Sequence, residues 1–167
     1  MGTVLKFAAA FLRGLYDAAR NGKRRQDIRT PQWFVDAASE ALGGSIPLDP
    51  CATRSPRWHF AEENWSSRGL DRPWERPSFA NPRYDNLVAW MEHAQAEAAR
   101  TGLPQIFLGP WRTHRHGFFN ALARSEVIFF RAFPFVGQRN SAPFPCFAAV
   151  RHCTFPATAY EFGRRPW

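Results

Sequence analysis

Two proline turns, Asp49-Pro50-Cys51-Ala52 and Asn81-Pro82-Arg83-Tyr84, each follow directly on a short apolar run, residues 45–48 and 78–80. Proline has no backbone N–H and cannot continue a central strand, so each run reads as a short strand that stops at its turn. Helical spacing fills most stretches between strands, whereas residues 53–77 are polar, dotted with Trp, interrupted by Pro and show little periodicity. Thr30-Pro31 reads as a helix start, with Thr as cap and Pro in the first helical position, and Phe34, Val35, Ala38 and Leu42 follow on one face up to Gly43-Gly44. Leu87, Trp90, Met91, Ala94 and Ala98 mark a second helix over 87–100, with Thr101-Gly102 as its stop. Strands are expected at 105–108, 126–133 and 143–151, and a short helix at 117–124. This alternation predicts an α/β domain with a largely parallel central sheet. Ligands of such sheets bind outside the carboxyl ends of the strands, which is where both proline turns fall.

The remaining organisation follows from length and charge. At 167 residues, with 45% hydrophobic and 22% charged, the chain has room for one packed domain. Residues 1–25 read as an N-terminal amphipathic helix (Val4, Phe7, Phe11 and Leu15 on one face) with a basic linker, 26–155 as the domain, and 156–167 as a tail. The net charge is +8 and the pI about 10.4, which favours a polyanionic partner. Residues 1–29 carry seven basic against two acidic side chains, and Lys23, Arg24 and Arg25 are placed to grip a phosphate backbone without reading sequence. The three cysteines, Cys51, Cys146 and Cys153, have no C-x-x-C spacing, so neither a zinc site nor a disulfide framework is indicated. No stretch has the length of a membrane span. A reducing cytoplasm is the compartment expected.

The second turn carries the chemistry. An exocyclic base amine is a poor nucleophile because its lone pair is delocalised into the ring. An Asn side-chain oxygen and the following main-chain carbonyl can accept its two N–H groups and draw the nitrogen toward tetrahedral geometry, while an aromatic ring nearby stacks on the extruded base. Asn81, the Pro82 carbonyl and the Tyr84 ring supply these three elements. Pro82 also stiffens the turn.

In order along the chain come Thr30-Pro31-Gln32-Trp33, Leu48-Asp49-Pro50-Cys51-Ala52, Trp58-His59-Phe60, Gly69-Leu70, Trp74, the Asn-Pro-Arg-Tyr run, Trp111-Arg112-Thr113, Phe118-Phe119 and Ser141-Ala142-Pro143. Over roughly residues 26–151 this order resembles the phage-type DNA N6-adenine methyltransferases, the Dam-like group of prophages and plasmids. The resemblance implies a single Rossmann-like domain that uses S-adenosylmethionine to methylate adenine N6 in double-stranded DNA, in the cytoplasm of a bacterial host. It implies Asn81, Pro82 and Tyr84 as the catalytic turn. Thr30 and Pro31 would lie beside the methionine end of the cofactor, and Asp49, Pro50, Cys51 and Ala52 would follow the first strand where the cofactor sits. Arg112 and Thr113 would face substrate. Two departures stand out. The family usually has Pro where this chain has Arg83, and no G-x-G turn follows the first strand, although the family itself is poor in such glycines.

Other residues admit two readings. Arg83 is a phosphate contact in a working enzyme or a mark of drift in a degenerate fold that binds nucleic acid without catalysis. An Asn-Pro turn suits a cytosine N4 amine or an RNA base as well as adenine. Glu62 and Glu63 are the nearest acids for a ribose, or simply solvated. Arg115, with His114 and His116, reads as a basic loop against DNA phosphate rather than a metal pair, and no metal is expected. His59, His93 and His152 stand alone. Trp58, Trp65 and Trp74 read as anchors of the core or loops, and Cys51 as a small turn residue rather than a nucleophile. Target sequence and oligomeric state are not encoded legibly.

Overall fold

Five of the six strands point the same way, and only the last in sequence is reversed between its two neighbours. The computed structural model describes residues 29–111, 117–122, 125–130, 135 and 144–156. The strands are β1 (Leu48–Asp49), β2 (Glu63–Asn64), β3 (Ser78–Ala80), β4 (Gln105–Pro110), β5 (Glu126–Phe130) and β6 (Cys146–Arg151), in the order β2-β1-β3-β4-β6-β5. β2, β1, β3 and β4 are mutually parallel, whereas β6 lies antiparallel between β4 and β5. The mostly parallel sheet is the one expected. The reversed strand is an addition, since a continuous apolar run such as Cys146–Val150 says that a strand is buried but not which way it points.

Helices cover both faces. α1 (Gln32–Ala41) sends Phe34, Val35 and Ala38 against Phe79, Ile106, Leu108, Ile128 and Phe130. On the other face α2 (Leu87–Thr101) and α3 (Phe118–Ala121) pack Leu87, Met91, Ala94, Phe118 and Ala121 against Leu48, Ala80, Phe107, Phe147 and Ala149. Neighbours along β3 and β4 (Phe79 with Ala80, Ile106 with Phe107) fall into opposite layers, as the two-residue period of a strand requires. That is why β4 is buried at every position.

Boundaries differ from the expected ones in instructive ways. α2 ends where expected: Gly102 takes φ +68° and returns its N–H to the Ala98 carbonyl at 2.9 Å, a left-handed cap that favours glycine. The β1 strand starts only at Leu48, but its backbone already meets the β2 segment upstream, where the Ile46 carbonyl accepts from Glu62 N–H at 2.9 Å. The start of α1 is a correction. Pro31 rather than Thr30 occupies the cap position, its carbonyl accepting from Phe34 and Val35, and no side chain caps the helix. The Thr30 hydroxyl is engaged elsewhere. The strand β2 and the 3-10 turn η1 (Pro56–Trp58) lie in the polar stretch that showed no periodicity. The N-terminal amphipathic helix, its linker and residues 157–167 fall outside the described residues. Among those described, no helix is long and apolar enough to cross a membrane.

Candidate functional site

β1 is the point where the strand order reverses. The chain leaves β1 to form β2 on one side, then returns to form β3 on the other, pairing Leu48 with Ser78. Parallel neighbours whose onward connections diverge leave a crevice at their carboxyl ends. The carboxyl end of β1 delivers Asp49-Pro50-Cys51 and that of β3 delivers Asn81-Pro82, so the two turns singled out from sequence are adjacent in space.

Asp49 is 5% exposed. Its Oδ1 accepts the Cys51 N–H at 3.0 Å and the Cys51 thiol at 3.4 Å, closing a turn on itself. Burial pushes the Asp49 carboxyl up to about 6, against the opposing pull of the Cys51 N–H, the Cys51 thiol and the nearby His59. The Cys51 thiol is raised well above its ordinary range by burial and then by the Asp49 charge, while the Asn81 N–H works the other way. The protonated Cys51 thiol thus donates to Asp49 within its own turn and faces the Asn81 N–H of the other, in keeping with a turn residue and not with a nucleophile.

Asn81 is anchored across the crevice. Its Nδ2 donates to the Thr30 hydroxyl at 3.0 Å, and its Oδ1 is buried with no hydrogen-bond partner. A buried amide oxygen left unpaired carries a desolvation cost that a donor from a ligand would remove. Pro82 is buried. Arg83 takes φ −59° and ψ 143°, and its exposed guanidinium pairs with Asp85 at 3.2 Å. Tyr84 is half-buried at the start of the 3-10 turn η2 (Tyr84–Asn86), with the ring edge-on to Phe144 at 5.8 Å. Thr30, Pro31, Asp49, Pro50, Cys51, Ala52, Asn81, Pro82 and Tyr84 thus all lie at or beside the carboxyl end of the β1–β3 pair.

A brace holds the Asp49-Pro50 turn from behind. A Cβ at Gly69 would overlap the Pro50 carbonyl oxygen and come within 2.7 Å of the Trp90 ring, so only glycine lets this segment lie so close. The Gly69 carbonyl accepts from the Trp74 indole at 2.8 Å, and Trp74, wholly buried, donates its backbone N–H to Glu97 at 2.7 Å. Glu97 in turn binds Arg100. Trp74 is thus an anchor of the core. Trp65 is half-buried, its indole donating to Glu63.

Glu62 and Glu63 are exposed and shared with Arg76, and Glu62 also accepts from Ser45 at 2.6 Å. Asn64 beside them was not legible in the sequence: paired in register with Asp49, it donates to the Ala61 carbonyl at 2.6 Å and leaves Oδ1 buried and unpaired. The rings of His59, His93 and His152 each contact a backbone carbonyl. Among the described residues no group of three or more His, Cys, Asp or Glu is placed to hold a metal. Lys23, Arg24, Arg25, Arg112, Arg115, His114 and His116 lie outside the described residues. Two open surface depressions, one lined by Glu126, Arg151 and Cys153 and the other by Asp36, Ser39 and Phe60, are separate from these turns.

No protein-family model matches the chain, and no curated protein is significantly similar to it.

Proposed function

We propose that this chain is an S-adenosylmethionine-dependent methyltransferase acting on the exocyclic N6 amine of adenine in DNA. The observation that carries the reading is the Asn81 amide: one end is tied to Thr30 and the other, Oδ1, is buried and unpaired at the reversal point of the sheet. An amine N–H supplies the donor this oxygen lacks, and the Pro82 carbonyl is available in the same turn for the second N–H. Held this way the nitrogen becomes pyramidal and its lone pair is freed toward an electrophile. The Tyr84 ring offers a stacking face for an extruded base.

When bound, S-adenosylmethionine supplies a methyl group on a sulfonium as that electrophile. The chemistry of the residues present suits it: Thr30, Pro31, Asp49, Pro50, Cys51 and Ala52 gather beside Asn81 at the ends of β1 and β3, and the Asp49 carboxylate would accept an N–H donor of the bound molecule. The new N–C bond replaces the methyl–sulfur bond, and the methylated amine releases a proton to solvent without a dedicated base.

Three further features support the reading. The mostly parallel sheet, with its connections diverging at β1, suits a ligand held at the strand ends in a Rossmann-like manner. Arg83 weighs less against activity than its identity suggests, because its φ of −59° lies inside proline's range, so the backbone at this position is one that proline also adopts. The charge of +8 suits a nucleic-acid substrate. The test is mass spectrometry of nucleosides from plasmid DNA co-expressed with the protein in a methylation-free host. N6-methyladenine with wild type and none with Asn81→Ala is expected. Its absence with soluble wild type, or equal levels in both, overturns the proposal, and N4-methylcytosine alone would replace the acceptor.

A further inference from the structure

We infer that Arg29, Arg57 and Trp58 form a binding site for an anionic oxygen group, carboxylate or phosphate, of a molecule entering the crevice beside Asn81. Only the identity of that molecule rests on the methyltransferase reading. The Arg29 guanidinium lies over the Trp58 indole, and that of Arg57 lies over the same ring at 4.6 Å. Elsewhere Arg68, Arg76, Arg83 and Arg100 each reach a carboxylate, Arg151 donates to Gln95, and Arg54 and Arg72 share with this pair the lack of an ion pair among the described residues. Among the described residues Arg29 and Arg57 form no such ion pair. The Arg29 Nε is moreover buried with no hydrogen-bond partner. The negative face of an indole offsets part of the mutual repulsion of two cations, but it accepts no in-plane N–H bonds. Those donors remain for an anion.

Position ties this stack to the crevice. Arg29 immediately precedes Thr30, whose hydroxyl holds Asn81. On the other side Trp58 precedes His59, which lies close enough to Asp49 to favour its charged form. The stack therefore sits one residue along the chain from Thr30 on one side and from His59 on the other. Carboxylate and phosphate are the groups whose paired oxygens match the planar guanidinium fork, and stacking on a ring fixes the direction of that fork before the anion arrives.

The experiment compares wild type, Arg29→Met, Arg29→Lys and Arg57→Met, each checked for folding by circular dichroism. Three probes are used: S-adenosylhomocysteine, 5′-methylthioadenosine (which lacks the amino-acid carboxylate) and a short DNA duplex titrated at several salt concentrations. If the anion is the cofactor-type carboxylate, Arg29→Met weakens S-adenosylhomocysteine by about tenfold and leaves methylthioadenosine unchanged. If it is a phosphate, Arg29→Met weakens DNA and lowers its salt slope by about one. Arg29→Lys falls between, and Arg57→Met gives a smaller loss in the same direction. Unchanged binding of all probes, or equal losses for both adenosine compounds with no DNA effect, overturns the site. If wild type binds neither adenosine compound while Arg29→Met still weakens DNA, the methyltransferase reading fails and the anion site stands. Should Arg29→Met not fold, Arg57→Met at the exposed side of the ring provides the same readouts.

Discussion

The Thr30 hydroxyl and the Asn81 amide meet at 3.0 Å across 51 positions of sequence. That contact joins the segment leading into α1 to the turn after β3, and it fixes which end of the amide faces the crevice. With Nδ2 committed to Thr30, Oδ1 is presented as an acceptor. Thr30→Val keeps the shape but removes the acceptor, so the amide is free to rotate and Nδ2 loses its partner. In the methyltransferase reading kcat is expected to drop by about ten- to a hundredfold, with a smaller change in KM, at a stability cost of about 1 kcal/mol. Thr30→Ser should restore most of kcat. Steady-state methylation kinetics check both, and a Thr30→Val enzyme with unchanged kcat would show that the contact does not orient the amide.

Arg83→Pro tests whether the departure at the third position of the turn matters. The backbone there already has proline-like φ, and the Arg83–Asp85 pair is exposed and worth little. The unfolding midpoint is expected to stay within about 0.5 kcal/mol of wild type in free energy, with DNA methylation retained. A large loss of methylation with the fold intact would instead assign the guanidinium a direct contact with the substrate.

Asp49 gives the protein a pH signature. Its carboxyl is pushed from an ordinary 3.8 up to about 6, so the folded state keeps a proton that the unfolded chain releases. Stability from this group is greatest below the ordinary value, declines as pH rises through the window between the two, and is fully lost above about 6. Asp49→Asn keeps an acceptor for the Cys51 N–H without the charge. The stability difference between this variant and wild type should grow in favour of the variant from near zero at pH ~4 to about 2–3 kcal/mol at pH ~7. Urea unfolding at several pH values measures it, and a difference that does not vary with pH would remove Asp49 as its source.

What could be read from sequence depended on how local the signal was. α2 was legible because Leu87, Met91, Ala94 and Ala98 repeat with helical period and Gly102 ends the run. β4 was legible as a buried run, and the Asp49-Pro50 and Asn81-Pro82 turns were marked by proline itself. β2 was not, since Glu63-Asn64 is two polar residues whose strand conformation comes entirely from pairing with Leu48 and Asp49. Thr30 misled for a physical reason: a hydroxyl before a helix normally finds a backbone N–H, and here the carbonyl of Pro31 starts the helix while the hydroxyl finds Asn81. The stack of Arg29 on Trp58 joins side chains from separate segments, and no spacing rule encodes it.

Gly69→Ala addresses the brace behind the Asp49-Pro50 turn. The added methyl would overlap the Pro50 carbonyl, which is backbone and cannot rotate away, and would crowd the Trp90 ring. Either the Asp49-Pro50 turn or the Gly69 segment must shift, and the latter is held by the Trp74 indole bond. Overpacking of this kind costs about 1–3 kcal/mol, which denaturant unfolding should register. Because the strain falls on the residue next to Asp49, the Asp49–Cys51 turn should loosen as well. The Cys51 thiol, otherwise half-buried and protonated, is then expected to react faster with a thiol reagent under native conditions than in wild type. Unaltered stability together with unaltered Cys51 reactivity would mean that the two segments do not press on each other as described.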